Sequence, residues 1–229
     1  MMYLAFYIAM KVNVDNAIYI IDRVRHLTGS TYVLRFSRNG MAFVPGQYLL
    51  IGLPGSAKMR EYSIYSGVHD EFLEILIKEV DEGEVSRELK TLQRGEKLDV
   101  RGPYGSFLRK APGAAPGKRL FISSGTGIAP FHSFIRSYPD LDYFLIHGVR
   151  ILEEAYDYGD YRRDRVILCT SRDRGGDFAG RVTDYLREHV PGPDQQVYLC
   201  GSGVMIHDAM KILRSGGVPQ NQIFTEVYF

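Results

Sequence analysis

The chain has 229 residues, 28 Lys plus Arg against 27 Asp plus Glu, a formal charge of +1 and two cysteines. That length supports one or two domains with cores of their own and needs no disulfide framework. Two thiols fall short of the four that an iron–sulfur cluster or an all-cysteine zinc site takes, so no metal centre is expected, and the balanced charge excludes nucleic acid as the main partner.

Met1 to Met10 (MMYLAFYIAM) is apolar but has no basic flank and no small-x-small cleavage site, and it is short for a membrane span. It reads as a first strand or a loosely ordered extension, and Met10-Lys11 offers a second start. No other apolar stretch reaches the length of a membrane span. With so few cysteines, a soluble cytoplasmic protein is expected.

From Lys11 to about Lys110 the apolar residues alternate, as in Tyr32, Leu34 and Phe36 and in Leu73, Ile75 and Ile77, with Glu74 and Lys78 on the opposite face. This is the period of half-buried antiparallel strands. Asn39-Gly40, Pro45-Gly46, Pro54-Gly55 and Gly102-Pro103 supply turns between the runs, and the pattern predicts a small closed barrel. Gly83 to Leu92 departs from it and predicts a short helix opened by Ser86.

Pro112-Gly113-Ala114-Ala115-Pro116-Gly117 breaks the alternation and reads as a linker. The expected division is therefore a barrel over residues 1–111, a linker at 112–117 and a second domain over 118–229. In the second half, apolar runs at Leu120–Ile122, Tyr143–Ile146, Val166–Cys169, Val197–Cys200 and Ile223–Phe229 are separated by amphipathic segments. Phe131, Phe134, Ile135 and Tyr138 fall on one helical stripe; Val182, Tyr185 and Leu186 make a second. Met205, Ile206, Ala209, Met210 and Leu213 make a third, stopped at Gly216-Gly217-Val218-Pro219. A further helix after Arg150 has the thinnest pattern. Continuous apolar strands alternating with helices predict a doubly wound α/β domain on a five-stranded parallel sheet, with ligands at the carboxyl ends of the strands.

Ser123-Ser124-Gly125-Thr126-Gly127-Ile128-Ala129-Pro130 closes the first parallel strand. It suits either a pyrophosphate seat before a helix or a tight turn without a ligand; Pro130 replaces the third glycine of the dinucleotide fingerprint. Cys200-Gly201-Ser202-Gly203 repeats the arrangement on a later strand. Between them, Ser171-Arg172-Asp173-Arg174 offers two guanidinium groups, to a phosphate monoester or to solvent. In the barrel half, Arg60-Glu61-Tyr62-Ser63 places a cation, an aromatic ring and a hydroxyl on one alternating strand, and Gly83-Glu84-Val85-Ser86 opens the barrel's helix. Several of the 24 glycines thus fall in turns suited to phosphate, at Gly83, Gly125, Gly127, Gly201 and Gly203.

In this order the motifs Arg60-x-Tyr62-Ser63, Gly83-x-x-Ser86, Gly102-Pro103-Tyr104-Gly105, Gly125-Thr126-Gly127-x-Ala129-Pro130, Ser171-Arg172, Cys200-Gly201-x-x-x-Met205 and Glu226-Val227-Tyr228-Phe229 resemble the ferredoxin/flavodoxin–NADP reductase family, from about residue 12 to the end. The resemblance implies that FAD is held by Arg60 at its phosphate, by Tyr62 on the isoalloxazine ring, and by Ser63 near N5. Gly83, Val85 and Ser86 would seat its pyrophosphate. It implies that Gly125, Thr126, Gly127, Ile128, Ala129 and Pro130 hold the pyrophosphate of NADP(H), and that Ser171 and Arg172, assisted by Arg181, grip the 2′-phosphate. Cys200, with Gly201 and Met205 in its turn, would lie by the nicotinamide. Glu226 would bring an acidic group to the reacting atoms, with Tyr228 or Phe229 over the flavin. Ser63, Cys200, Glu226 and Tyr228 are thus the implied catalytic residues. Ser202 stands where many members have Pro, and Val85 where some have Cys.

The implied activity is electron transfer through bound FAD, between NADP(H) and an acidic one-electron carrier, ferredoxin or flavodoxin. The carrier brings the one-electron centre that two cysteines cannot build. A free-flavin reductase or an oxygenase reductase component keeps the same fold with another acceptor. A non-catalytic redox-sensing module would need neither the terminal Glu-x-Tyr nor a cysteine at the nicotinamide position.

Overall fold

The computed structural model describes residues 17–80, 83–107 and 119–228. Six antiparallel strands form the first sheet: β1 (Ala17–His26), β2 (Thr31–Ser37), β3 (Tyr48–Gly52), β4 (Arg60–Ser63), β5 (Phe72–Lys78) and β6 (Lys97–Tyr104). Their order is β4-β3-β6-β1-β2-β5. A bridge between Ile64 and Ile75 joins the two edges, and the Tyr65 amide donates to the Glu74 carbonyl at 2.7 Å, so the sheet closes on itself as expected. Tyr32, Leu34, Phe36, Leu73, Ile75 and Ile77 fill its interior.

Two expectations change in this half. Glu74 does not face solvent: it is 2% exposed, accepts from Arg35 Nε at 2.8 Å, and lies beneath a face that the second domain covers. Val33, Tyr65 and Leu76 on that outer face share one apolar core with Phe121, Phe131, Phe134 and Tyr156. Helix α1 (Glu84–Lys90) is opened by Gly83, not by Ser86. The Ser86 hydroxyl instead donates back to the Gly83 carbonyl at 3.1 Å, tying the turn from inside, while Val85 packs into the barrel core.

The second sheet is wholly parallel: β7 (Arg119–Ser124), β8 (Tyr143–Val149), β9 (Val166–Thr170), β10 (Phe178–Ala179), β11 (Gln196–Ser202) and β12 (Ile223–Tyr228), in the order β10-β9-β8-β7-β11-β12. The five expected strands are present, and two-residue β10 adds a short sixth at the edge. Helix α2 (Ala129–Ser137) covers one face. Helices α3 (Val182–Glu188) and α4 (Gly203–Ser215) cover the other, through Val182, Leu186, Ile206, Ala209 and Leu213. The segment after Arg150 forms three short 3-10 turns instead of an α-helix. Its buried anchors, Tyr156 and Tyr161, are five residues apart, and Asp157 between them has a left-handed φ of 47°; five residues is off a helical stripe. From β7 the chain runs outward through β8 and β9, then returns to β11 on the other side of β7. The strand order therefore reverses between β7 and β11, which opens a crevice at their carboxyl ends.

The N-terminal apolar decapeptide, the 112–117 linker and Phe229 lie outside the described residues. Among the described residues no helix is long and apolar enough to cross a membrane.

Candidate active site

The two glycine-rich turns meet in that crevice. A side chain on Gly127 would drive its Cβ onto the Cys200 carbonyl and to 2.6 Å from the Gly201 Cα. Gly201, at φ 136°, has the Ser124 carbonyl oxygen 2.8 Å from where a Cβ would stand, and the Ser124 hydroxyl closer still. The Ser202 amide donates to Ser124 Oγ at 3.2 Å, and Ser202 Oγ accepts from the Met205 amide at 3.3 Å, capping α4. Packing alone thus requires Gly127 and Gly201. Gly125, at φ 55° with no atom within 4 Å of its missing side chain, faces open space.

Above the turns lies a cleft of about 530 Å³, within the range of small-molecule sites. Ser124, Gly125 and Thr126 line it from β7, Gly201 and Ser202 from β11, and Met205 from α4. Gly127, Ile128, Ala129 and Pro130 do not line it: all four are buried behind the turn and support it. Ser171, Arg172 and Arg181 stand together on the opposite wall, as the sequence suggested, whereas Arg174 is not on it. Among the described residues neither Arg172 nor Arg181 has an ion-pair partner. The sequence reading missed Lys78, reaching in from the barrel, and Arg150 on the β8 carboxyl end. Arg150 Nε donates to Glu154 at 2.8 Å, its Nη2 pairs with the same carboxylate, and Glu154 is held below its ordinary value because these bonds outweigh its burial. The strand-end rule would have found Arg150, which lies four residues beyond the run Tyr143–Ile146 and directly after β8. Four cations against Glu154 and Asp208 make the cleft attractive to an anion.

The cleft ends at a seam between the domains. The Ser63 hydroxyl on β4 donates to Glu226 Oε1 on β12 at 2.9 Å. Burial raises the Glu226 carboxyl to about 7, against the opposing Ser63 bond. Cys200, paired with Glu226 across β11 and β12, is fully buried, and burial pushes its thiol well above the ordinary range. Tyr228 lines the cleft, packs partly into the core, and brings its hydroxyl against Ser63, Cys200 and Glu226, where burial pushes it well above its ordinary value. On the barrel side, Tyr62 lays a half-buried ring against the barrel core. The exposed Arg60 guanidinium donates to the Met59 carbonyl at 3.0 Å. Ser63, Cys200, Glu226 and Tyr228 therefore lie together. Gly83, Val85 and Ser86 lie apart from this group, at the start of α1.

Residues 20–108 match the model of the oxidoreductase FAD-binding domain, and residues 121–211 that of the oxidoreductase NAD-binding domain. The chain is 31% identical over 230 residues to a ferredoxin–NADP reductase of Pseudomonas aeruginosa, covering 85% of this chain and 88% of that protein. It is 29% identical over 228 residues to the electron transfer component of toluate 1,2-dioxygenase from Pseudomonas putida, covering 91% of this chain and 66% of that one. Among solved structures, a ferredoxin–NADP reductase of Neisseria gonorrhoeae with bound FAD and NADP superimposes with a TM-score of 0.84 at 22% identity, covering 93% of this chain and 98% of that one. Two matched domains, and 31% identity over 85% of the chain to a ferredoxin–NADP reductase, place the chain in the ferredoxin–NADP reductase family of oxidoreductases.

Proposed function

We propose that this protein moves electrons between NADP(H) and a one-electron carrier, ferredoxin or flavodoxin, through FAD seated at the Ser63–Glu226 seam. One observation carries this reading: a carboxyl raised to about 7 bridges the two domains where the cationic cleft ends. We divide the chain at residue 111 and residue 118, with 112–117 as linker. Two unpaired, buried cysteines suit a reducing cytoplasm.

The residues present fit both nucleotides. Open space above Gly125, four cations and a strand-end crevice suit a pyrophosphate and a 2′-phosphate. The desolvated Glu226 carboxyl and the Ser63 hydroxyl beside it offer polar contacts to a ligand at the seam. Arg60 would take the FAD phosphate, Tyr62 would stack on its ring, Ser63 would contact N5, and the turn Gly83-Val85-Ser86 would seat the pyrophosphate. FAD, when bound there, would supply the hydride and single-electron chemistry that no side chain here supplies. The Ser63 hydroxyl, which donates to Glu226 Oε1, would hand the carboxylate a proton leaving the FAD seat, and Glu226, at about 7, would release it to water. Tyr228, lying against Cys200, occupies the approach to the seam and swings away to admit the nicotinamide. Deleting Tyr228 and Phe229 is accordingly expected to slow carrier reduction and to narrow the preference for NADPH over NADH; steady-state kinetics with both donors check it.

Arg172→Ala is expected to raise the KM for NADPH about 10- to 100-fold, a hydrogen bond to a charged group being worth roughly 1.5–3 kcal/mol. The KM for NADH should hardly move, and equal effects on both would remove Arg172 from the 2′-phosphate. Similarity to the toluate dioxygenase component favours a second reading, the reductase of an oxygenase. Stopped-flow reduction of ferredoxin, flavodoxin and an oxygenase component by one preparation distinguishes the acceptors. A flavin lost on dialysis would favour a free-flavin reductase.

A further inference from the structure

Helix α2 begins where the Gly125–Ile128 turn ends, and it lies along barrel residues 65–70. Four of its side chains bond that segment. His132 Nδ1 faces the Tyr65 carbonyl at 2.7 Å, and the Ser133 hydroxyl donates to the Ser66 carbonyl at 2.7 Å. The Ser137 hydroxyl accepts from the Val68 amide at 2.9 Å, and Arg136 pairs with Asp70 at 2.7 and 3.0 Å. Ser63, two residues before Tyr65, makes the bond to Glu226 at the seam. One short stretch of barrel therefore touches the reacting seat at one end and, at the other, the helix that carries the nucleotide turn.

His132 is the buried member of this contact, at 2% exposed. Its ring stacks on Tyr65 with centroids 3.7 Å apart and stands edge-on to Tyr161 at 5.9 Å. Its Nε2 faces Asp160 Oδ2 at 3.0 Å. Both ring nitrogens thus face an oxygen, one on the barrel and one on the second domain, and the ring is held from both sides. The hydrogen bond from His132 holds the Asp160 carboxyl below its ordinary value, against its burial, and Arg136 lies 3.9 Å from that carboxylate. Asp157, the other acid beside the ring, is already matched by Arg25 at 2.7 Å and by the Tyr65 hydroxyl at 2.9 Å. That pairing also disqualifies the His132, Asp157 and Asp160 trio as a cation site, since a guanidinium already supplies the positive charge.

We propose that His132 is a positioning residue for hydride transfer. Held between the Tyr65 carbonyl and Asp160, it locks α2, and with it the Gly125-Thr126 turn, to the barrel stretch bearing Tyr62 and Ser63, and so sets the separation of the nicotinamide and flavin seats. This role rests on the electron-transfer reading above. His132 does not line the cleft, so its loss spares nucleotide affinity and disturbs alignment. Misplacement of reacting groups by about 1 Å costs on the order of a hundredfold in rate, and a loosened clamp displaces them by less.

The test compares FAD-loaded wild type, His132→Phe, which keeps a ring against Tyr65 but neither polar bond, and Asp160→Asn, which changes a half-exposed side chain. The dissociation constant for NADP+ is expected to stay within a factor of two or so, while flavin reduction at saturating NADPH slows about tenfold in His132→Phe and less in Asp160→Asn. The conservative variant His132→Asn, whose amide can still donate to the Tyr65 carbonyl, should recover part of the rate lost in His132→Phe, which a merely structural role would not require. Unchanged reduction rates in His132→Phe and Asp160→Asn, even with lowered melting temperatures, overturn the clamp, as does a His132→Asn rate no higher than that of His132→Phe. If His132→Phe fails to fold, Asp160→Asn and His132→Asn still decide. A wild-type flavin that NADPH cannot reduce would instead contradict the functional reading, and the positioning role with it.

Discussion

Glu226→Gln is expected to lower the rate of carrier reduction about a hundredfold, the usual range for losing a positioned acid or base being roughly 10² to 10⁴. The same substitution should stabilise the protein at alkaline pH. Burial raises the Glu226 carboxyl from an ordinary 4.5 to about 7, so the folded chain keeps this proton to a higher pH than the unfolded chain. Below 4.5 both states are protonated and the group costs nothing. Between 4.5 and about 7 the unfolded state ionises first and stability falls; above that range the cost is complete, at no more than about 3 kcal/mol for a half-buried group. Glutamine is neutral throughout and escapes it. Urea unfolding of the nucleotide-free protein at pH 5 and pH 8 should therefore show the variant gaining on wild type as pH rises. An equal pH slope in the two proteins would mean that burial of Glu226 is not what sets its proton affinity.

The second large effect is structural. Gly127→Ala should destabilise the protein by about 3 kcal/mol or more, because the new methyl meets only backbone: the Cys200 carbonyl and the Gly201 Cα at 2.6 Å. Neither can move without pulling β11 and the start of α4 out of register. Gly125→Ala, two residues away, should behave oppositely. It has no atom within 4 Å and loses only the left-handed backbone freedom of glycine, worth about 1 kcal/mol, while its methyl projects where a pyrophosphate would lie. Chemical unfolding and NADP+ titration of the two variants separate these outcomes. Equal stability of the pair would contradict the packed-turn geometry.

Much of this was legible in the sequence because period and punctuation are local signals. Alternation in Tyr32, Leu34 and Phe36 marks barrel strands, and glycine after an apolar run marks the strand ends where ligands gather. Ser63, Cys200, Glu226 and Tyr228 come together because each lies in the last three residues of its strand, although 163 residues separate Ser63 from Glu226. What stayed hidden is what only domain packing decides. Glu74 reads as a solvent-facing residue until a second core covers its face. Gly127 reads as a phosphate turn, and its actual constraint is the neighbouring turn at Cys200 and Gly201. Lys78 reads as a solvated strand end, and it reaches a cleft built by the other domain. His132 lies beside the stripe of Phe131, Phe134, Ile135 and Tyr138, not on it, and its two hydrogen-bond partners come from segments that no spacing rule links.

Anaerobic mixing of the FAD-loaded protein with NADPH, then with oxidised ferredoxin or flavodoxin, tests the central claim most directly. The account predicts rapid bleaching of the flavin by NADPH, much slower bleaching by NADH, and return of the flavin colour as the carrier is reduced. A flavin left oxidised by NADPH, or one bleached but unable to pass electrons to either carrier, would contradict it.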